Sequence, residues 1–434
     1  MKYQALSQEL FIHNRRRFVR EMQPGTVAIF NSNDMMPRSG DSCFPFRQNT
    51  GLFWLSGIDQ EETMLFLFPG CAKDKHEEVL FIKRTNEHIA VWEGHKYTKE
   101  EARQTSGIQK VYFLDEGDVV MRELINLSTG IYLNFNEHDK FITPVESRDQ
   151  RYAKYIRETY PGHVIHRAQP ILKKLQTIKN QWETETIQHA IDITGKAFDR
   201  VLKFVQPDVW EYEVEAEITH EFLRNRATGH AYTPIIASGK SACVLHYIEN
   251  DKICRDGDLL LMDFGCEYGN YAADLTRTIP VNGRFTDRQR AVYNAVLRTL
   301  KEARAMLVPG TLLEDYQKEV GKYMESELLG LGLISKKDIE DQNPDWPAYK
   351  KYFMHGTSHH LGLDVHDLGH RYEPFRAGMI FTCEPGIYIP EEGIGVRIEN
   401  DILVTDEGPQ DMFRNIPMEA DEIETLMNAG VLNY

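Results

Sequence analysis

The pattern of apolar and polar positions divides the 434-residue chain into two parts. In the first part, a helical pattern runs from about Ser7 to Met22 and ends at "QPG". Short apolar runs between glycine and proline signals follow it, which is typical of strands. These runs are "TVAIFNSN", "TGLFWLSG", "TMLFLFPG", "EVLFIKR" and "GIYLNF". We therefore predict an N-terminal domain with a mixed sheet and flanking helices.

The second part has longer helical patterns and glycine-rich strands. Apolar residues recur at helical spacing in "ETETIQHAIDITGKAFDRVLKFV", "EYEVEAEITHEFLRNRA", "RQRAVYNAVLRTLKEARAML" and "LLEDYQKEVGKYMESELLGLG". Helices mixed with antiparallel hairpins predict an α+β domain with helices on one face of a sheet. The basic stretch "HVIHRAQPILKKLQTIKNQWE" indicates a domain boundary. We therefore predict two domains, residues 1–174 and 175–434.

One apolar hairpin carries a carboxylate in each strand. The stretch "LLLMDFGCEYGNYAADLTRTIPV" holds Asp263 in its first strand and Asp274 in its second. A turn centred between Tyr268 and Gly269 would place the two aspartates directly opposite each other. Opposed like charges repel, and two buried carboxylates at that distance do not both stay ionised unless a cation lies between them.

A second hairpin repeats the arrangement. In "MIFTCEPGIYIPEEGIGVRIENDILVT", at residues 379–405, the turn is centred between Glu391 and Glu392. This register places Glu384 opposite Glu399. One opposed pair could arise by accident, whereas two pairs in one domain predict a common site.

Four converging carboxylates require strong positive compensation. Arg277 and Arg397 are near in sequence, and by parity Arg397 and Tyr388 share the face of the carboxylates. One or two guanidinium groups do not neutralise four acids, but divalent metals do. Oxygen ligands with one or two imidazoles suit Mn²⁺, Co²⁺, Fe²⁺ or Zn²⁺, and two bridged metals lie about 3.5–4 Å apart.

An imidazole ligand is available in "FMHGTSHHLGLDVHDLGH", which contains five histidines among glycines. We expect a strand and loop that present one of them to the metals. Spacing alone leaves open which histidine this is.

Charge and composition narrow the partners. The net charge of -16 argues against a nucleic-acid partner, which normally requires a basic face. Six cysteines lack CxxC spacing, and the N-terminus lacks the apolar core of a signal peptide. No apolar stretch is long enough for a membrane span. We expect a cytoplasmic protein with reduced thiols and no membrane association.

The motifs resemble the aminopeptidase P, prolidase and creatinase family of metallopeptidases. "MDFGCEYGNYAADLTRT", "HGTSHHLGLDVHD", "EPGIYI" and "GVRIENDILVT" occur in the family order, and "FPFRQNTGLFWLSGIDQEE" resembles the N-terminal domain of aminopeptidase P. The resemblance implies a C-terminal pita-bread fold. It also implies two divalent metals, usually Mn²⁺ with Zn²⁺ or Co²⁺ as alternatives, and five ligands: Asp263, Asp274, His359, Glu384 and Glu399.

Further roles follow from the same resemblance. A hydroxide bridging the metals would attack the peptide carbonyl, Glu384 would act as acid and base, and His366 would stabilise the oxyanion. The resemblance assigns catalytic or substrate-binding positions to six residues: His246, His355, His366, Tyr388, Arg397 and Trp92.

The family also suggests a substrate and its alternatives. An Xaa-Pro aminopeptidase removes the first residue of peptides that have proline second, whereas a prolidase cleaves only Xaa-Pro dipeptides. "HGTSH" resembles aminopeptidase P more than prolidase. A non-catalytic pita-bread binding protein is disfavoured because such proteins lose metal ligands. Family members are often homo-oligomers, dimers or tetramers, so we expect an oligomer.

Overall fold

A computed structural model describes residues 2–138, 141 and 143–429. The chain forms two compact units, an N-terminal unit from Tyr3 to Gln176 and a C-terminal unit that begins at Thr177. Each unit contains helices and at least one sheet. The predicted boundary between residues 174 and 175 stays a prediction.

The N-terminal unit is built on a mixed six-stranded sheet, as predicted, in the order β6-β5-β4-β1-β7-β8. Strands β1 and β4 pair antiparallel, whereas β1 and β7 pair parallel. Its elements in chain order are α1 (Gln8–Arg20), β1 (Thr26–Asn31), β2 (Pro37–Ser39), β3 (Ser42–Cys43), α2 (Thr50–Ser56), β4 (Met64–Leu67), β5 (Glu78–Ile82), α3 (Glu87–Glu93), α4 (Lys99–Ser106), β6 (Lys110–Phe113), α5 (Leu114–Leu127), β7 (Gly130–Leu133), α6 (Arg148–Thr159), β8 (Val164–Arg167) and α7 (Gln169–Gln176).

The prediction of a strand at "TGLFWLSG" is wrong, because this segment forms helix α2. The Asn49 side chain caps the helix by accepting from the Leu52 N–H, and Gly57 ends it with a positive φ of 69°. Six of its seven residues, from Gly51 to Ser56, are buried. A short helix that is buried on all sides has no polar face, so its apolar run cannot be distinguished from a buried strand.

The C-terminal unit combines helices with antiparallel strands. Its strands form three three-stranded sheets, β10-β11-β14, β13-β12-β9 and β15-β18-β19, and the pair β16-β17. Its elements are α8 (Gln181–Phe204), α9 (Glu211–Arg224), β9 (Gly229–His230), β10 (Ile235–Ser238), β11 (Leu259–Phe264), β12 (Cys266–Tyr268), β13 (Tyr271–Ala272), β14 (Leu275–Pro280), α10 (Asp287–Ala305), α11 (Leu313–Gly330), α12 (Lys336–Glu340), β15 (Ile380–Cys383), β16 (Gly386–Ile389), β17 (Ile394–Arg397), β18 (Asn400–Thr405), β19 (Gly408–Asp411) and α13 (Ala420–Asn428).

The four long helices predicted for this unit are confirmed as α8, α9, α10 and α11. Helix α8 begins at a capping box in which Asn180 and Glu183 satisfy each other's backbone N–H groups. Thr286 and Gln289 do the same for α10. Among the described residues, no helix has both the length and the apolar character needed to cross a membrane.

The hairpin that carries the two aspartates requires a glycine at one position. A Cβ on Gly265 would lie 1.7 Å from the carbonyl oxygen of Ala273, which is main chain and cannot rotate away. We therefore expect Gly265→Ala to displace the strand next to Asp274 and to cost at least about 2 kcal/mol of unfolding free energy. The melting temperature, followed by circular dichroism, measures this cost.

Gly330→Ala is the matched control. Gly330 is the last residue of α11, and a Cβ there would meet no heavy atom within 4 Å. An equal loss of melting temperature in both variants would contradict the requirement for close approach at Gly265.

Candidate metal centre

The candidate site lies where the antiparallel ladders of the C-terminal unit are interrupted. Asp263 belongs to β11, but Asp274 lies between β13 and β14. Glu384 lies between β15 and β16, and Glu399 lies between β17 and β18. Three of the four predicted carboxylates therefore occupy positions where regular strand pairing is absent.

The backbone N–H groups at these interruptions have other partners. The N–H of Asp274 donates to the Asp401 carboxylate at 3.0 Å. The N–H of Glu399 donates to the Thr276 carbonyl, and that of Glu384 to the Thr357 carbonyl. Because buried backbone donors must be satisfied, these contacts allow the strands to break at the carboxylates without an unpaired amide.

The predicted register of the first hairpin is wrong. Asp263 pairs with Thr276 rather than with Asp274, because the turn lies at Gly269 and Asn270, one residue later than predicted. Moving the turn centre by one residue shifts the partner by two positions. Since a shift of two keeps each side chain on its face of the sheet, Asp263 and Asp274 remain diagonal neighbours on one face.

The second hairpin has the predicted register. Cys383 pairs with Asn400 in the outer ladder, and Gly386 pairs with Arg397 in the inner one. Glu384 and Glu399 lie between these two ladders. Arg397 closes the inner ladder beside them.

A tyrosine that the sequence analysis missed joins the two aspartates. The hydroxyl of Tyr232 donates to Oδ1 of Asp263 and is also within hydrogen-bond distance of Oδ1 of Asp274. Burial and the charges of Asp263 and Asp274 raise the pKa of Tyr232 well above its usual value, so the phenol keeps its proton. Tyr232 precedes β10, which pairs with β11, and this pairing had no signal in the sequence.

Arg397 links the carboxylates of both hairpins. Its Nη2 donates to Oδ2 of Asp263 at 2.6 Å, and its Nε donates to Oγ1 of Thr276 at 3.1 Å. The Thr276 hydroxyl in turn donates to Oε2 of Glu399 at 2.6 Å. One guanidinium therefore orients two of the four acids, one directly and one through a threonine.

His359 is held beside β15 with one ring nitrogen directed at the acids. The N–H of Thr382 donates to the His359 carbonyl, and the His359 N–H donates to the Thr382 hydroxyl. Its Nδ1 lies 3.0 Å from the His360 carbonyl, which can only accept, so Nδ1 carries a proton. Its Nε2 lies 3.5 Å from both Asp274 Oδ2 and Glu384 Oε1.

Burial and the mutual charges of the cluster shift the pKa values of its members. Burial, together with nearby negative charges, raises the pKa of Glu384 to about 7 and the pKa of Glu399 well above its usual value. Burial opposes the charged form of His359, but the hydrogen bond to Asp274 and the charge of Glu384 outweigh it and raise the pKa of His359 to about 9. Because metal ligands bind in their deprotonated forms, a cation would compete with protons for these groups.

His355 and Tyr388 extend the network from Arg397. Arg397 Nη1 donates to the Tyr388 hydroxyl at 2.8 Å, and this hydroxyl lies 2.8 Å from His355 Nε2. Burial and the charge of Arg397 lower the pKa of His355 to about 3, so the ring is neutral. Its Nδ1 faces the Gly356 carbonyl at 2.8 Å and lies 3.7 Å from Glu384 Oε2.

His246 lies on an exposed loop. Both ends of this loop donate hydrogen bonds to the buried carboxylate of Glu211. Glu211 accepts from the N–H and hydroxyl of Ser238 before the loop. It also accepts from the Tyr247 hydroxyl and the Lys252 N–H after it. The loop therefore has a defined path although it leaves the sheet.

The two remaining predicted residues differ in position. His366 is exposed, and its ring centroid lies 4.2 Å from that of His359, so it belongs to the same cluster. Trp92 lies on helix α3 of the N-terminal unit and is 80% exposed. Its role at the substrate stays a prediction.

The donor set fits a divalent metal. One ligand atom from each of Asp274, His359 and Glu399 lies within 4.8 Å of the other two. Asp263 joins the group through Tyr232, and Glu384 through His359. Carboxylate oxygens and one imidazole nitrogen suit divalent ions such as manganese, cobalt or zinc. The cluster can therefore bind divalent cations and bring a buried acid within reach of a substrate.

Comparison with known proteins identifies the family. The profile of metallopeptidase family M24 matches residues 185–406, and that of the aminopeptidase P N-terminal domain matches residues 11–132. The chain is 35% identical to the Xaa-Pro aminopeptidase of Escherichia coli, covering 98% of this chain and 99% of the relative.

Solved structures agree with this result. The zinc-substituted Escherichia coli aminopeptidase P in complex with product has a TM-score of 0.88 at 32% identity, over 98% of this chain and 99% of the other. The Pseudomonas aeruginosa aminopeptidase PepP has a TM-score of 0.89 at 30% identity, over 98% and 99%. These similarities confirm the two-domain α+β fold with its C-terminal pita-bread domain. The chain belongs to metallopeptidase family M24 and carries the N-terminal domain of aminopeptidase P.

Proposed function

We propose that this protein is an Xaa-Pro aminopeptidase, a metal-dependent exopeptidase that removes the first residue of peptides with proline at the second position. The observation that carries the proposal is the grouping of Asp274, His359 and Glu399, with Asp263 and Glu384 beside them, in a protein of family M24 that matches aminopeptidase P over nearly its full length. The N-terminal domain supports this reading because it is the domain of aminopeptidase P.

We assign two divalent cations to five ligands: Asp263, Asp274, His359, Glu384 and Glu399. Manganese is the ion that we expect, and the carboxylate-rich donor set supports it over softer metals. When bound, the cations would lower the pKa of a shared water and polarise the carbonyl of the scissile bond. His359 would bind through a deprotonated Nε2 and Glu384 as a carboxylate, so metal affinity would rise with pH through the pKa values of these groups.

The protein's own side chains would supply the proton transfers and the orientation. Glu384 would take a proton from the attacking water and return it to the proline nitrogen as the C–N bond breaks. His366, exposed beside His359, would donate to the carbonyl oxygen as negative charge develops there. Arg397 and Tyr388 would keep Asp263 and His355 in place.

Other substrate contacts and the assembly remain part of the proposal. His246 and Trp92 would contact the substrate away from the scissile bond. We expect a homo-oligomer, a dimer or a tetramer, located in the cytoplasm, where its six free cysteines would stay reduced.

Hydrolysis of a matched peptide set tests the function. The protein is dialysed against chelator, supplied with Mn²⁺, and given Gly-Pro, Gly-Pro-Ala and Gly-Ala-Ala. Manganese-dependent release of glycine from Gly-Pro-Ala alone, or from both proline peptides, supports the aminopeptidase. Cleavage of Gly-Pro alone would make the protein a prolidase, and cleavage of neither proline peptide with metal bound would refute the proposal.

Asp274→Asn tests the ligand set. The substitution keeps the side-chain shape but removes a charge, so we expect lower bound metal by elemental analysis and a loss of activity above about 100-fold. The melting temperature of the metal-free protein should not fall, because one buried repulsion is removed. Asp406→Asn, at an exposed turn residue, is the control. A variant with two bound metals and full activity would exclude Asp274 as a ligand.

Tyr232→Phe tests the hydroxyl that joins Asp263 and Asp274. Without it the two carboxylates lose their common donor, so we expect metal affinity to weaken by about 10- to 100-fold. Titration calorimetry with Mn²⁺ measures the change, and Tyr323→Phe, on the exposed side of α11, is the control. Equal affinities in both variants would show that the phenol does not organise the ligands.

A further inference from the structure

A buried ion pair adjoins the histidine-containing segment of the candidate metal centre. Lys179 Nζ is 2.8 Å from Asp367 Oδ2, and the two side chains are only 1% and 3% exposed. Asp367 directly follows His366 in the chain. No step of the proposed hydrolysis uses either residue.

The main chain connects this pair to the cluster. The N–H of Asp367 donates to the His360 carbonyl at 2.9 Å. His360 follows His359 in the chain and Asp367 follows His366, so this bond brings the two histidine segments side by side. This bond closes a loop over residues 360–367. The loop places the ring of His366 next to that of His359, with centroids 4.2 Å apart.

Lys179 is fixed independently of the loop. Its N–H donates to the Gly378 carbonyl at 2.8 Å, two residues before β15. The Thr177 hydroxyl donates to the Leu368 carbonyl at 3.4 Å, one residue beyond Asp367. The segment 177–179 therefore contacts the end of the loop, at Asp367 and Leu368, and the residues that lead into β15. His359 is hydrogen-bonded to this strand.

The loop is shaped around the ion pair. A Cβ on Gly362 would lie 2.1 Å from Asp367 Oδ2 and 3.0 Å from Lys179 Cε. The charged groups thus pack directly against the main chain of the loop, with no space for another side chain at that point. A shorter or uncharged pair would leave the loop without this support.

A buried ion pair is poorly explained by stability alone. Removing two charges from water costs free energy that their attraction often only offsets, and apolar residues of similar size are frequently as stabilising. Such pairs are best attested as devices that fix one arrangement among several. Here the arrangement that Lys179 and Asp367 fix is the path of the loop that carries His366.

We infer that Lys179 and Asp367 are positioning residues for catalysis, which set the placement of His366 relative to His359. This inference rests on the proposed function, in which His366 donates to the substrate carbonyl. The pair acts through His366 and does not touch the substrate itself.

A double variant separates positioning from stability. Lys179→Met with Asp367→Leu replaces the pair by apolar side chains, so the protein should keep its melting temperature and its Mn²⁺ affinity. We expect kcat on Gly-Pro-Ala to fall by about 10- to 100-fold, with little change in KM. Lys318→Met with Glu314→Leu, an exposed pair on α11, is the matched control and should keep wild-type kcat.

A variant cycle shows whether the effect passes through His366. In the His366→Ala background, the Lys179→Met and Asp367→Leu changes should lower kcat by less than about twofold further. Equal fold losses in the two backgrounds would overturn the inference. If the apolar double variant does not fold, Asp367→Asn, which keeps the shape and removes the charge, is measured in the same cycle with the same criterion.

A spectroscopic measurement is independent of activity. The ring Cε1–Hε1 resonance of His366, assigned by its loss in His366→Ala, should shift in the Lys179 and Asp367 variants and stay unchanged in the control pair. An unmoved resonance would overturn the inference even in a protein that cleaves no peptide. If the wild-type protein cleaves no peptide but the His366 resonance shifts in the Lys179 and Asp367 variants, the proposed function is refuted. The role of the ion pair in placing His366 then still stands.

Discussion

The repulsion among buried carboxylates is the constraint on which the rest of the site depends. Four acids meet in the core of the C-terminal unit, and burial raises the pKa of Asp263, Glu384 and Glu399 in the protein alone. Two hairpins with uninterrupted ladders would bring these side chains together only at a large electrostatic cost. Tyr232, Arg397 and Thr276 offset part of this cost by donating hydrogen bonds to the acids.

The interrupted ladders follow from this constraint. A strand residue in a regular ladder has its side chain fixed by the pleat, whereas Asp274, Glu384 and Glu399 lie where pairing stops. Their amide groups keep partners in other segments, so the interruption leaves no buried donor unsatisfied. The sheets thus provide a rigid frame, and the breaks give the carboxylates freedom to point at one common volume.

Much of this arrangement could be predicted from the sequence, because a strand has a side-chain period of two. The predicted register of the first hairpin is wrong by two positions, but a shift of two keeps Asp263 and Asp274 on the same face.

Local patterns also predicted the long helices, but failed at α2, which is buried on all sides. Tyr232 was missed because its contact depends on the pairing of β10 with β11, which brings together segments distant in the chain. The pairing of Lys179 with Asp367 joins residues 188 positions apart, and no local pattern indicates it.

The two arginines that the sequence offered as charge balancers have different roles. Arg397 donates to Asp263 and reaches Glu399 through Thr276. Arg277 donates instead to the main-chain carbonyls of Pro417, Thr276 and Glu399 and to the Asn400 side chain.

Arg277 therefore holds the backbone around Thr276 and Glu399 in place, and these hydrogen bonds do not reach a ligand carboxylate. Arg397 and the protonated ring of His359 are then two positive groups that face four acids. Divalent cations would balance the negative charge that remains. Because Arg277 is committed to carbonyl groups, it does not offset the charge of the ligand acids, and that task falls to the proposed cations.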